Sequence, residues 1–228
     1  MLNEFWQIDW FPIRLTLQVA TLATIISLFI GIFIGYLLAR KNIPGRHLID
    51  SLVSLPLVLP PTVLGYYLLV LLGVHSPIGK LWEKLFGSPL VFTWSAAVIA
   101  ATIHSLPLMV KSARVAIEEV PLEIENAART LGANSRKVFF SITVPLAKRG
   151  LLAATMLTFT RSLGDFGATI MVAGNIPGRT QTVAIAIYDA VQAGRDSQAL
   201  ALVVVISLVA FCLLYIVNLL DLTKKHNF

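Results

Sequence analysis

Pro121-Leu122-Glu123-Ile124-Glu125-Asn126-Ala127-Ala128-Arg129-Thr130-Leu131-Gly132 is a polar island between apolar runs, and it has the marks of a complete short helix. Pro121 suits a first helical position, Glu123 and Glu125 occupy the electropositive first turn, and Gly132 supplies a left-handed stop. Ile124, Ala127, Ala128 and Leu131 recur at i, i+3, i+4 and i+7, which gives one narrow apolar stripe. Glu123, Glu125, Asn126, Arg129 and Thr130 take the other faces, with Glu125 four residues ahead of Arg129 in the favourable orientation. A helix with so narrow a stripe needs a partner surface.

The rest of the chain is built for lipid. Of 228 residues, 57% are hydrophobic and 13% charged, too little polar surface to coat a soluble globule. A helix crosses the hydrocarbon core with about 20 apolar residues. Five segments qualify: Ile13 to Ala39, Leu52 to Leu72, Val91 to Val110, Gly150 to Val172 and Ala199 to Leu220. Their runs are continuous rather than alternating, so helices are expected and a barrel is not. The expectation is an all-α integral membrane protein with five transmembrane helices, a single transmembrane domain over 1–228 and a polar loop over 111–149.

The net charge of +6 is sorted by side, which argues against nucleic acid as the partner. With the amino terminus outside, the segments Arg40 to Ile49, Lys111 to Arg149 and the tail from Asp221 hold twelve Lys and Arg on the cytoplasmic side. The outer segments hold five, and Arg161 lies within a span. Amino terminus out and carboxyl terminus in is therefore expected. Met1 to Trp10 has acids but no basic region, so no cleavable leader is expected. The lone Cys212 offers no intrachain disulfide and no thiolate cluster.

Local features refine the spans. In the first, Gly31 and Gly35 permit close helix contact. In the second, Leu55-Pro56-Leu57-Val58-Leu59-Pro60-Pro61 cannot be a regular helix. Either a path borders Pro60 to Gly65 or the prolines only kink the chain. Trp82 in the outer loop suits an interfacial anchor. His104 and Pro107 interrupt the third span, and a single His with no acid nearby in the sequence is expected to pack rather than relay protons. Thr182 to Val191 is too short to cross and suits a short outer or re-entrant helix.

Catalytic chemistry is thin. Gly73 to Leu81 has five residues between its glycines where a phosphate-binding loop has four, and Leu81 stands where a hydroxyl is needed. No metal-ligand spacing or nucleophile and base pairing stands out. The unusual polar feature within a span is Arg161-Ser162-Leu163-Gly164-Asp165-Phe166-Gly167-Ala168-Thr169. Arg161 and Asp165, four apart, would share a helix face and relieve each other's burial. Two readings stand: a structural ion pair at a broken helix, or a passage lined by Ser162, Gly164, Gly167 and Thr169 beside that pair.

Asn126-Ala127-Ala128, then Gly132, then Ile142-Thr143-Val144-Pro145 resembles the cytoplasmic EAA loop of bacterial ABC importer permeases. Asn126 stands where that loop carries Glu, with Glu125 just before it, and Val144 replaces Leu. The proline-rich run from Leu55 to Pro61, the segment Ala128 to Ala133, the block Ser162 to Thr169 and Asn175-Ile176-Pro177-Gly178-Arg179-Thr180 look like the molybdate branch of that family. Sulfate and thiosulfate permeases share the Ser-Leu-Gly-acid-aromatic-Gly pattern. The similarity runs from about Pro12 to Leu222.

The resemblance implies a type I importer permease fold in the bacterial inner membrane. It implies a non-catalytic subunit paired with a second copy of itself, two cytoplasmic ABC ATPase subunits and a periplasmic molybdate-binding protein. Tungstate would be a co-substrate; ATP and Mg would be used by the ATPase, with no cofactor bound by this chain. Coupling to the ATPase would fall on Glu125, Asn126, Ala127, Ala128, Arg129, Leu131, Gly132, Ala133 and Pro145. A low-affinity path would draw on Pro60, Thr62, Ser105, Thr158, Ser162, Asp165 and Thr169. The rivals are a sulfate or thiosulfate permease and an ion-coupled secondary transporter. A membrane enzyme using His104 and Asp165 would require those two to face one cavity.

Overall fold

The structure is a computed structural model that describes residues 9–41 and 44–222, with side chains through Tyr215. Most of the amino-terminal stretch for which no cleavable leader was expected, Asn42 and Ile43 of the basic turn, and the tail lysines Lys224 and Lys225 lie outside the described residues.

Every described regular element is helical. They run α1 (Phe11–Arg40), α2 (Arg46–Val58), α3 (Pro61–Leu72), α4 (Pro77–Phe86), α5 (Trp94–Glu118), α6 (Leu122–Thr130) and α7 (Ser135–Val138). A π-helical turn, Phe139–Thr143, leads into α8 (Val144–Leu163), followed by α9 (Gly167–Ala173), α10 (Val183–Gln192) and α11 (Asp196–Leu222). Four continuous stretches are long and apolar enough to cross a membrane: α1, α5, Ser135–Leu163 and α11.

The second expected span is instead a bent pair, with α2 and α3 meeting at 112°. The prolines dictate this. A residue preceding a proline is biased out of the helical region, and Leu59 and Pro60 sit at ψ 138° and 136°; the break expected over Leu55 to Pro61 is confined to Leu59 and Pro60, because Pro56 is accommodated inside α2. The fourth span also differs from expectation. It begins at Ser135 rather than Gly150 and stops at Leu163; Gly164 to Phe166 break the chain, and α9 turns away to pack on α3. The third span continues to Glu118, eight residues into the stretch expected as a loop.

α5 is the central rod, contacting both α1 and α8. The α1 seam is close because of the expected glycine pair: a Cβ at Gly31 would fall 2.5 Å from Met109 Cγ, and one at Gly35 would fall 3.0 Å from the Arg114 nitrogen. Ala97, Ala101, Met109, Ala113 and Ile117 fill this core. At one end of the bundle the Thr16 hydroxyl of α1 accepts from the Val183 N–H, which satisfies a first-turn donor of α10. At the other end the termini of α1 and α5 meet α6. The outer and cytoplasmic ends read from the charges are thus separate ends of one bundle. Trp82 packs against the α3, α5 and α9 core and stacks on Phe86.

Candidate functional site

Two places concentrate polar chemistry. The first is α6. Pro121 is its N-cap rather than its first helical residue, at ψ 126°. Its end is a Schellman turn: Ala133 N–H donates to the Ala128 carbonyl and Gly132 N–H to the Arg129 carbonyl, with Gly132 at φ +86°.

The face that α6 turns into its own chain is not the apolar stripe but Glu125, whose side chain is 0% exposed. Arg40, at the last turn of α1 and itself 7% exposed, donates from Nε to Glu125 Oε1 at 3.2 Å. The same guanidinium donates to the carbonyls of Ile117 and Val120 at 2.8 and 2.7 Å, closing the end of α5. The Thr143 hydroxyl, carried at the end of the π turn, donates to Glu125 Oε1 at 2.8 Å. Arg129 reaches Oε2 only at 3.5 Å, an ionic contact without a hydrogen bond. One carboxylate therefore ties α6 to α1, α5 and the π turn.

With Glu125 inward, the stripe faces out. Leu131 is 88% exposed, Ile124 and Ala127 are exposed, and Ala128 is half-buried. Asn126 is exposed and accepts from Arg129. Ala128, Leu131, Gly132 and Ala133 line a cleft of about 250 Å³ with Lys137 and Val138, and Pro145 is exposed just beyond it.

The second place is a cavity of about 330 Å³ where the two breaks meet: Pro61 and Thr62 from the α2–α3 bend, Gly164, Asp165, Phe166 and Gly167 from the α8–α9 break, and Arg161 and His104. Arg161 and Asp165 do not pair. The helix ends at Leu163, so the four-residue spacing no longer places them on one face. Instead Arg161 Nη2 contacts His104 Nε2, His104 Nδ1 lies 3.6 Å from Asp165 Oδ1, and the Thr169 hydroxyl donates to Asp165 Oδ2. His104 is buried, as a packing residue would be, and the break also brings an acid, distant in the sequence, toward its other nitrogen. His104 and Asp165 do face one cavity.

The remaining path candidates are distributed differently. Pro60 is exposed at the bend. Ser105 is fully buried, 3.4 Å from the Ser27 hydroxyl between α1 and α5. Thr158 and Ser162 are buried and donate to their own helix at the Ala154 and Thr158 carbonyls. These three hydroxyls are spent within the packing and do not line the cavity. Arg40 and Thr143 carried no signal in the sequence that linked them to Glu125. Among the described residues no group of three or more His, Cys, Asp and Glu could hold a metal ion.

Comparison with known proteins places this architecture. A family model described as the inner membrane component of binding-protein-dependent transport systems matches residues 27–225. The molybdenum transport system permease protein ModB of Escherichia coli (strain K12) is 47% identical over 198 residues, covering 86% of each chain. The sulfate transport system permease protein CysT of the same organism is more distant, 33% identical over 223 residues, 96% of this chain and 80% of that one. A crystal structure of a bacterial ABC transporter that imports the acidic polysaccharide alginate superposes at a TM-score of 0.76 with 13% identity, over all of this chain and 83% of that one, a likeness of fold alone. With a family model spanning most of its length and a relative nearly half identical, this chain belongs to the binding-protein-dependent transport system inner membrane components.

Proposed function

We propose that this chain is the membrane subunit of an ATP-driven importer of molybdate, with tungstate as a second substrate. Family membership makes it a multi-pass, non-catalytic inner-membrane component. The observation that carries the reading is α6: a short helix latched to the bundle through Glu125, with Ile124, Ala127 and Leu131 presented outward at the end that bears the basic residues. An ABC ATPase on the cytoplasmic side is the partner such a face fits. Two copies of this chain would enclose the path, and a periplasmic binding protein would deliver the ion. Molybdate is preferred to sulfate because ModB is the nearer relative and CysT the more distant one.

Energetics agree with an external fuel. Moving a dianion into an interior 100 mV negative costs about 4.6 kcal/mol, from roughly 2.3 per charge. The deciding experiment reconstitutes the chain with its ATPase and measures hydrolysis on addition of a molybdate-loaded or a sulfate-loaded binding protein. Faster hydrolysis with molybdate is expected. Stimulation by the sulfate-loaded protein alone would reverse the substrate assignment, and uptake driven by a proton or sodium gradient without ATP would reject the mechanism.

A further inference from the structure

We propose that Arg161 is the oxyanion contact of the membrane path, a low-affinity site for a tetrahedral dianion held in place by His104 and Asp165. The proposal deepens the transport reading in one respect, since it requires an oxyanion to pass through this chain.

Arg161 is exposed, lines the cavity between the two helix breaks, and carries five N–H donors. Among the described residues its guanidinium has one protein partner, His104 Nε2. A cation that can never discharge, placed inside a span with most of its donors unspent, calls for an anionic guest. Arg is suited to a tetrahedral oxyanion because its planar fork donates two parallel bonds. The polar cleft among the start of α1, α10 and the start of α11 does not compete: its Arg195 is already paired with Asp189 at 2.6 Å, and Asp9 adds a second carboxylate with no further cation to offset it.

The supporting pair accounts for weak binding and quick release. His104 is 3% exposed, and its Nδ1 has no hydrogen-bond partner but faces Asp165 Oδ1. For Nε2 to accept from the guanidinium, the ring proton must sit on Nδ1, toward the carboxylate, so Asp165 selects the tautomer that receives Arg161. Asp165 also borders the cavity, but both its oxygens are engaged within the protein, one accepting from Thr169 and the other facing His104. Its charge offsets that of Arg161 from one imidazole away. The guanidinium can thus exchange an anion for a neutral nitrogen, where an isolated Arg would retain the dianion. Gly167 lets the start of α9 approach the start of α3 closely, since a Cβ there would fall 2.7 Å from Pro61 Cβ. His104 and Asp165 are positioning residues.

The test uses the complete transporter in proteoliposomes, with its ATPase and binding protein. Arg161→Gln is expected to slow molybdate uptake roughly tenfold or more, the loss of a charge-assisted contact, with Arg161→Lys intermediate. Uptake at the wild-type rate in Arg161→Gln would overturn the proposal. A second readout is independent of turnover. In a Cys212→Ala, Thr62→Cys background in non-ionic detergent, an anionic thiol reagent should react faster than a cationic one, and excess molybdate should slow it. Arg161→Gln should abolish both effects. Equal rates for the two reagents would overturn the site. So would slowing by anionic phospholipid but not by molybdate, which would assign the guanidinium to a lipid headgroup. If the wild type imports sulfate and not molybdate, the substrate assignment fails while the same comparisons, run with sulfate, still decide Arg161.

Discussion

Replacing Glu125 should unlatch α6 without dismantling the membrane bundle. Glu125→Gln keeps the shape and one acceptor for Thr143 or Arg40, but removes the charge opposite a guanidinium that is only 7% exposed. Breaking a buried pair by removing one partner costs about 3–5 kcal/mol. Arg40 retains the Ile117 and Val120 carbonyls, so the lower end, about 3 kcal/mol, applies to Gln. Glu125→Ala also strands the Thr143 hydroxyl and should cost about 1 kcal/mol more. At 1.4 kcal/mol per decade, 3 kcal/mol is roughly a hundredfold shift in the local opening equilibrium.

The assay is amide hydrogen exchange on the full chain in detergent, followed by peptides across α6 and the π turn and by peptides from α1 and α5 as internal references. Exchange in α6 should rise in the order wild type, Gln, Ala. The double variant Arg40→Met, Glu125→Leu strands the Thr143 hydroxyl and the Val120 carbonyl, while the Ile117 carbonyl keeps the Val120 N–H, but it leaves no buried guanidinium without its carboxylate, so it should exchange more slowly than Glu125→Ala. Unchanged exchange in Glu125→Ala, or a double variant worse than either single, would refute the latch.

Leu131→Glu should abolish copurification with the ATPase while leaving membrane insertion intact, because Leu131 is 88% exposed and touches little of its own chain; retained copurification would remove the stripe from the docking face. Gly65→Val should lower the thermal midpoint of the solubilised protein, since a Cβ there falls 2.6 Å from Met171 Cβ in the α3–α9 contact and overpacking costs about 1–3 kcal/mol. A midpoint equal to wild type would show that the α3–α9 seam yields.

The sequence made elements legible where the cause was local and left them illegible where it was long-range. Pro121 to Gly132 announced α6 because caps, first-turn acids and a left-handed glycine act within a few residues. The prolines at 60 and 61 announced a break, though not its 112° angle, since that depends on what α3 packs against. The expected fourth span began at Gly150 because Lys148 and Arg149 end the apolar window. The helix begins at Ser135 because backbone hydrogen bonding continues past charges that lie outside the hydrocarbon. Arg161 and Asp165 looked like a pair only on the assumption that helix runs through Gly164. Arg40 and Glu125 are 85 positions apart, and no periodicity in either segment signals their meeting.

The two polar places are mechanically connected, because both hang on α5. His104 stands at the cavity, and the α5 carbonyl of Ile117, thirteen residues on, is held by the Arg40 that also holds Glu125. At 1.5 Å per residue that is about 20 Å of helix between the lever and the site. α1 cannot slide freely along this rod, since Gly31 and Gly35 bring the two backbones together over Met109 and Ala113. In the coupling proposed above, a displacement of α6 moves α1 and α5 together through these contacts. α9 carries Thr169 and also packs on α5, but it joins α8 only through the Gly164 break and rests on α3, which is itself set off by the proline bend. The cavity lies along that boundary. His104 rides on the body driven by α6, while Pro61, Thr62, Gly167 and Thr169 belong to helices hinged from it. On the proposed coupling, motion at α6 changes the distance between His104 and its partners across the breaks, and a cross-link between His104→Cys and Thr62→Cys that forms equally with and without ATP would refute it.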